Sequence, residues 1–209
     1  MATPTIPNGE EYFFPLIYEG NGSGLRVGNF VPFSNNGTIA NSLIINSGDS
    51  ALLSRTLSGD GNKKIFTISV WVKPCKFTGD YQAILVGGGT GAGTSSAGLY
   101  FDANMRIYIY FFGAETLITN RTFEDTSKFY HILIRVDSTD STADDRVKLY
   151  IDGEQETSFA TRNNPSINAD TTLFNVGSNI FNIGKHTSSN AYYYLDAYVT
   201  EVNFVDAQL

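Results

Sequence analysis

The chain has 209 residues, 42% of them hydrophobic and 17% charged, with a formal net charge of -7. That length suits one large all-β domain, and so much apolar material builds a core, which excludes a disordered tail. No basic run exceeds Lys63-Lys64, so the patch a nucleic-acid partner needs is missing, and no apolar run approaches the ~20 residues that cross a bilayer.

Phe (15) and Tyr (12), with many Val, Ile and Thr, favour strands, and 20 Gly with frequent Asn and Ser supply turns. Cys75 is the single cysteine, which excludes an intrachain disulfide and a cysteine-rich metal site. The first residues lack a basic segment followed by an apolar one, so no signal peptide is read and folding in a cytoplasm is expected.

Residues 1–38 hold Pro4, Pro7, Pro15 and Pro32 and the apolar clusters Tyr12-Phe13-Phe14 and Leu16-Ile17-Tyr18. They read as an extended N-terminal arm that packs on its own domain or on a partner. Residues 39–209 read as the folded domain. Strands are expected at 42–45 and 50–54, flanking a turn at Asn46-Ser47-Gly48-Asp49. The clearest strand is 65–72, where Phe66, Ile68, Val70 and Val72 alternate with Thr67, Ser69 and Trp71.

A strand at 82–86 leads into a glycine-rich stretch, 87–93. That stretch lacks the Lys-Ser/Thr of a phosphate-binding loop, and no helical pattern follows it, so it reads as an inter-strand loop. Segments 98–102 and 105–112 form a hairpin about Ala103-Asn104. A short strand follows at 117–120 and a longer one at 129–137. Val147, Leu149 and Ile151 precede Asp152-Gly153, the strongest hairpin signal in the chain, with a return strand over 154–159. Strands at 181–184 and within 192–205 close the domain. Many short strands at such spacing, with no sustained helical period, predict a two-sheet antiparallel β-sandwich of jelly-roll type.

Five fragments carry a family resemblance: Phe66-Thr-Ile-Ser-Val-Trp-Val72, Lys128-Phe-Tyr-His-Ile-Leu-Ile134, Arg146-Val-Lys-Leu-Tyr-Ile-Asp-Gly153, Phe181-Asn-Ile-Gly184 and Tyr194 to Phe204. In this order they resemble the laminin G-like branch of the concanavalin A-like lectin/glucanase superfamily. Phe129-Tyr130 stands where the pattern has Trp before His131, and Ala197 where it commonly has Gly. Narrower stretches, Arg26 to Phe33, Asn120 to His131 and Glu201 to Asp206, resemble lectin-like virion proteins of tailed, particularly aquatic, phages. That resemblance implies a structural protein on the virion surface, in a tail fibre or as capsid decoration. It would be docked on other virion proteins through the arm and assembled as a homo-oligomer such as a trimer.

The superfamily contains glucanases, whose retaining chemistry needs two carboxyl groups about 5–5.5 Å apart. Their Glu-x-Asp-x-Glu type of strand pattern is absent, so no catalytic residue is assigned and the chain is read as a non-enzyme. Asp137, Asp140, Asp144 and Asp145 crowd one loop and are candidate calcium ligands, since hard cations take oxygen donors. No other cofactor is implied. Arg106, Tyr108, Tyr110 and Phe112 share one strand face opposite Met105, Ile107, Ile109 and Phe111. An exposed Tyr108, Tyr110 and Phe112 would form a platform for a host-surface glycan or a subunit contact; packing against the arm is the alternative. Tyr192-Tyr193-Tyr194 carries the same choice. His131 and His186 have no catalytic partner motif and read as structural. The alternative functions are a carbohydrate-binding or adhesive module of a bacterial surface protein and a glycoside hydrolase.

Overall fold

The computed structural model describes residues 41–89, 96–188 and 193–207. The arm expected over 1–38, its boundary with the domain at residue 39, and part of the glycine-rich loop lie outside the described residues.

Thirteen strands occur among the described residues. In chain order they begin with β1 (Leu43–Ile45), β2 (Leu53–Thr56), β3 (Ile65–Pro74), β4 (Gln82–Gly88), β5 (Ser96–Phe101), β6 (Arg106–Tyr110) and β7 (Glu115–Thr122). They continue with β8 (Tyr130–Asp137), β9 (Val147–Ile151), β10 (Glu154–Gln155), β11 (Phe159–Arg162), β12 (Ile180–Ile183) and β13 (Ala197–Asp206). One sheet has six strands in the order β1-β13-β3-β8-β9-β10; the other has seven in the order β11-β7-β6-β5-β4-β12-β2. The paired strands are antiparallel throughout. This is the expected jelly-roll sandwich.

The core follows from the period-2 patterns. Phe66, Ile68, Val70 and Val72 of β3 are fully buried, while Thr67, Ser69 and Trp71 are half-buried on the other face. Ile132 and Ile134 of β8, Val147 and Leu149 of β9, and Ile107 and Ile109 of β6 meet them between the sheets. Fully burying one such side chain stabilises the fold by about 1.5–3 kcal/mol. β4 and β5 differ: each of their residues is buried, so both faces of these strands are covered.

Asp152 and Gly153 both take positive φ, 54° and 88°, as the two-residue turn between β9 and β10 requires. The return strand is shorter than expected. β10 stays with β9, while β11 pairs with β7 in the opposite sheet. The crossing is made at residues 156–158, where the Glu156 carboxylate accepts from the backbone N–H of Thr157 (3.1 Å) and Ser158 (2.8 Å).

The first two strands divide in the same way. β1 joins β13 and β2 joins β12, so the turn between them links the two sheets. Asn46 Oδ1 accepts from Gly48 N–H at 2.9 Å, and the buried Asp196 carboxylate accepts from Ser47 N–H (2.9 Å) and Ser47 Oγ (2.6 Å). These bonds tie the corner to the start of the closing strand.

Candidate functional site

The face of the seven-stranded sheet turned away from the core carries a cluster of tyrosines. Alternation along β6 sends Ile107 and Ile109 inward and leaves Tyr108 and Tyr110 half-buried outside. Tyr100 of β5 is the cross-strand partner of Tyr108, and Gly98 is the partner of Tyr110. A Cβ at Gly98 would stand 2.3 Å from the Leu85 carbonyl oxygen, so only glycine allows this approach of β5 to β4.

Tyr81, just ahead of β4, meets Tyr108 edge to face at 5.3 Å between ring centroids. Tyr193 lies 5.4 Å from Tyr81. Tyr108 and Tyr110 present nearly parallel rings, 16° apart, with centroids separated by 6.4 Å. Together with Ser96, Tyr100 and His186 they line a cleft of about 330 Å³. The segment after β12 brings His186 and Tyr193 to this face: Lys185 bridges to Tyr194, and His186 N–H donates to the Tyr193 carbonyl at 3.3 Å.

The polar floor is a short relay. Ser188 N–H donates to His186 Nδ1 at 3.1 Å, so Nδ1 is an acceptor and the neutral ring carries its proton on Nε2. Nε2 makes a short hydrogen bond with Ser96 Oγ, which in turn meets the Tyr100 hydroxyl at 3.0 Å. Burial lowers the His186 pKa below its usual value and holds the ring neutral. In this tautomer Nε2 donates to the serine and has no lone pair to take its proton. A serine nucleophile activated by this histidine is therefore not assembled.

Burial raises Tyr100 and Tyr108 far above the ordinary phenol range, with the Glu115 carboxylate adding to the effect at Tyr108. Tyr81 is raised by burial and then by Asp102. All three are neutral hydroxyls at physiological pH, able both to donate and to accept. No carboxylate lines the cleft among the described residues.

Of the platform residues expected from sequence, Tyr108 and Tyr110 enter this cleft. Phe112 does not. β6 ends at Tyr110, its register against β7 shifts between Ile109 and Tyr110, and Phe112 is not among the residues lining the cleft. Tyr193 belongs to the cleft as well, whereas Tyr194 sits under the Lys185 ammonium, 5.1 Å from its ring centroid.

The four loop aspartates do not converge as a calcium site. Asp137 accepts from Thr139 N–H (3.0 Å) and Thr139 Oγ1 (2.6 Å) and pairs with Arg135 at 3.4 Å. Asp140 accepts from Thr142 N–H at 2.8 Å, and Asp145 pairs with Lys148 at 2.9 Å. Asp144 binds Arg162 at 3.1 Å and Asn164 at 2.6 Å; these contacts hold its pKa below the usual carboxylate range, the Asn164 hydrogen bond contributing most. Each carboxylate is engaged by its own protein partner. No three His, Cys, Asp or Glu side chains come together as a metal site among the described residues.

His131 lies on the outer face of the six-stranded sheet. Its ring stacks on Trp71 at 4.6 Å and its Nε2 meets Ser69 Oγ at 2.9 Å. Both histidines thus have a serine partner in space that no local motif announced. Ser96 and His186 are 90 residues apart.

Two packed antiparallel sheets in this strand order define a jelly-roll β-sandwich, with the tyrosine-lined cleft on one outer sheet face. Residues 46–209 match a laminin G-type family model described as the concanavalin A-like lectin/glucanases superfamily, and the chain belongs to that superfamily. Among solved structures, the Trypanosoma rangeli sialidase in complex with 2,3-difluorosialic acid, a covalent intermediate, is similar with a TM-score of 0.51 at 22% identity. That match covers 70% of this chain and 21% of the sialidase chain. The mouse laminin alpha1 chain, domains LG4-5, is similar with a TM-score of 0.51 at 13% identity, covering 80% of this chain and 44% of the laminin chain. The chain thus spans about a fifth of the sialidase and under half of the laminin chain, and the likeness is one of fold. No curated protein matches the sequence.

Proposed function

We propose that this protein is a non-enzymatic recognition protein that displays a lectin-like jelly roll on a phage particle and binds glycan through the tyrosine cleft. The observation that carries the recognition reading is the cleft itself, with neutral phenols on its walls, a hydroxyl relay on its floor and, among the described residues, no carboxylate lining it. Sugars offer an apolar ring face and a rim of hydroxyls, which such a surface satisfies by stacking and hydrogen bonding. The particle setting is supported by the stretches Arg26 to Phe33, Asn120 to His131 and Glu201 to Asp206, with the N-terminal arm as the attachment element to tail or capsid neighbours. A homo-oligomer, such as a trimer, suits that setting.

The family match fits a carbohydrate-binding module of a bacterial surface protein equally well. Location separates the two readings. Antibody labelling and reconstruction of purified particles should place the chain on the virion surface; its absence from particles would remove the virion role and leave the module. A glycan array on the purified chain tests recognition, with binding expected to fall about tenfold, or ~1.4 kcal/mol, in Tyr108→Ala. Incubation with β-glucans should release no sugar.

A further inference from the structure

We infer that the tyrosine cleft selects uncharged sugar residues and turns away carboxylated ones. This rests on the recognition reading above and adds the charge class of its ligand.

The inference starts from the charges around the cleft. Among the described residues, no Lys or Arg lines it. Arg106, the first residue of β6 and on the same strand face as Tyr108, is already committed. Its Nη2 lies 2.7 Å and its Nε 2.8 Å from Asp102 Oδ2, and Asp102 is buried. The Lys185 ammonium next to His186 is turned to the Tyr194 ring. His186 is held neutral by burial and by the backbone hydrogen bond at Nδ1. Arg106 still acts on Tyr81, but the other side-chain charges that act on Tyr81 and Tyr108 are negative. Glu115 pairs directly across from Tyr110, and its carboxylate acts on both Tyr81 and Tyr108.

A ligand carboxylate entering this cleft would give up water, meet no uncommitted cation among the lining residues described, and feel the exposed Glu115 carboxylate across the strand pair from Tyr110. Burying an unpaired charge under such conditions is strongly unfavourable. A neutral pyranose meets none of these costs. Its apolar face covers the near-parallel rings of Tyr108 and Tyr110, and its hydroxyls reach phenol groups that both donate and accept. Discrimination therefore comes from a repulsive element as well as from contacts to the right ligand.

The test is an array of oligosaccharides in matched neutral and carboxylated forms, lactose against sialyllactose among them, probed with the full chain, Tyr108→Ala, Tyr108→Phe and Glu115→Gln. Thermal unfolding of each variant establishes that it is folded. The neutral members should be bound, with their carboxylated partners at least tenfold weaker. Tyr108→Ala should lose at least tenfold and Tyr108→Phe, which keeps the ring, much less. Glu115→Gln should narrow the gap between matched pairs several-fold. A carboxylated member bound as well as its neutral partner, in a manner lost on Tyr108→Ala, would overturn the charge selection and leave glycan recognition standing. Binding that ignores Tyr108→Ala, or no glycan bound at all, would overturn both.

Discussion

Phe174 lies outside every strand, yet it joins the two sheets. It is fully buried. Its ring centroid stands 4.5 Å from Phe181 of β12, 5.0 Å from Phe111 after β6, 5.5 Å from Phe66 of β3 and 5.6 Å from Phe204 of β13. Phe181 faces it edge-on at 77° and Phe204 at 73°, geometries worth about 0.5–1.5 kcal/mol per pair beyond area burial. Phe174→Ala removes a ring that residues of both sheets enclose, so the site has little freedom to collapse. The expected loss is about 3–5 kcal/mol. For a domain of this size each kcal/mol lowers Tm by about 2–4 °C, so the melting point should fall by roughly 6–20 °C. Phe174→Leu keeps most of the volume and should cost about 1–2 kcal/mol. Urea unfolding followed by fluorescence and by far-UV circular dichroism measures both, and coincident transitions justify the free energies. A loss below about 1 kcal/mol for Phe174→Ala would mean that the 171–179 loop closes over the gap and that the ring is a cover, not a hub.

Three further outcomes follow from the packing and the charges. Gly98→Ala should force β4 from β5, because the new Cβ meets the Leu85 carbonyl at 2.3 Å and the Val86 Cα at 2.7 Å; a cost of about 1–3 kcal/mol in urea unfolding and loss of glycan binding are expected. Both histidines are depressed by burial, so an unfolded chain protonates them near pH 6.5, before the folded one does. Their contribution to stability is complete above that pH and falls as pH drops through the lower folded values. A Tm series from pH 7.5 to 5 should slope downward, and His131→Gln with His186→Gln should flatten it. Asp60, Asp125 and Asp144, whose pKa values are lowered, act in a more acidic window and will not mask the effect. Added calcium or EDTA should leave Tm unchanged, since Asp137, Asp140, Asp144 and Asp145 are each held by separate partners; a calcium-dependent rise of several degrees would refute that geometry.

What the sequence reveals and what it hides have one physical origin. A strand with one face in the core and one outside announces itself by alternation, and β3, β8 and β9 do so residue by residue. β4 and β5 are covered on both faces and carry no alternation; their sequence records burial but not which side bears the cleft. Phe174 belongs to no period, because a loop side chain is recruited to the core by closure of the sheets around it. The cleft is hidden for a related reason. Tyr108 and Tyr110 are visible as one face of a strand, but Tyr81, Ser96, Tyr100 and His186 join them only once β5, β4 and the segment after β12 lie side by side. Phe112 lies past the end of β6, where the register against β7 has shifted at Ile109/Tyr110, and it does not line the cleft. Local periodicity therefore reports which face of a strand is buried, while the chemistry of a sheet surface is written across strands. In this chain the β6–β7 pairing sets Tyr110 opposite Glu115, and the turn between β5 and β6 holds Arg106 on Asp102, an arrangement of charge that no single strand's periodicity records.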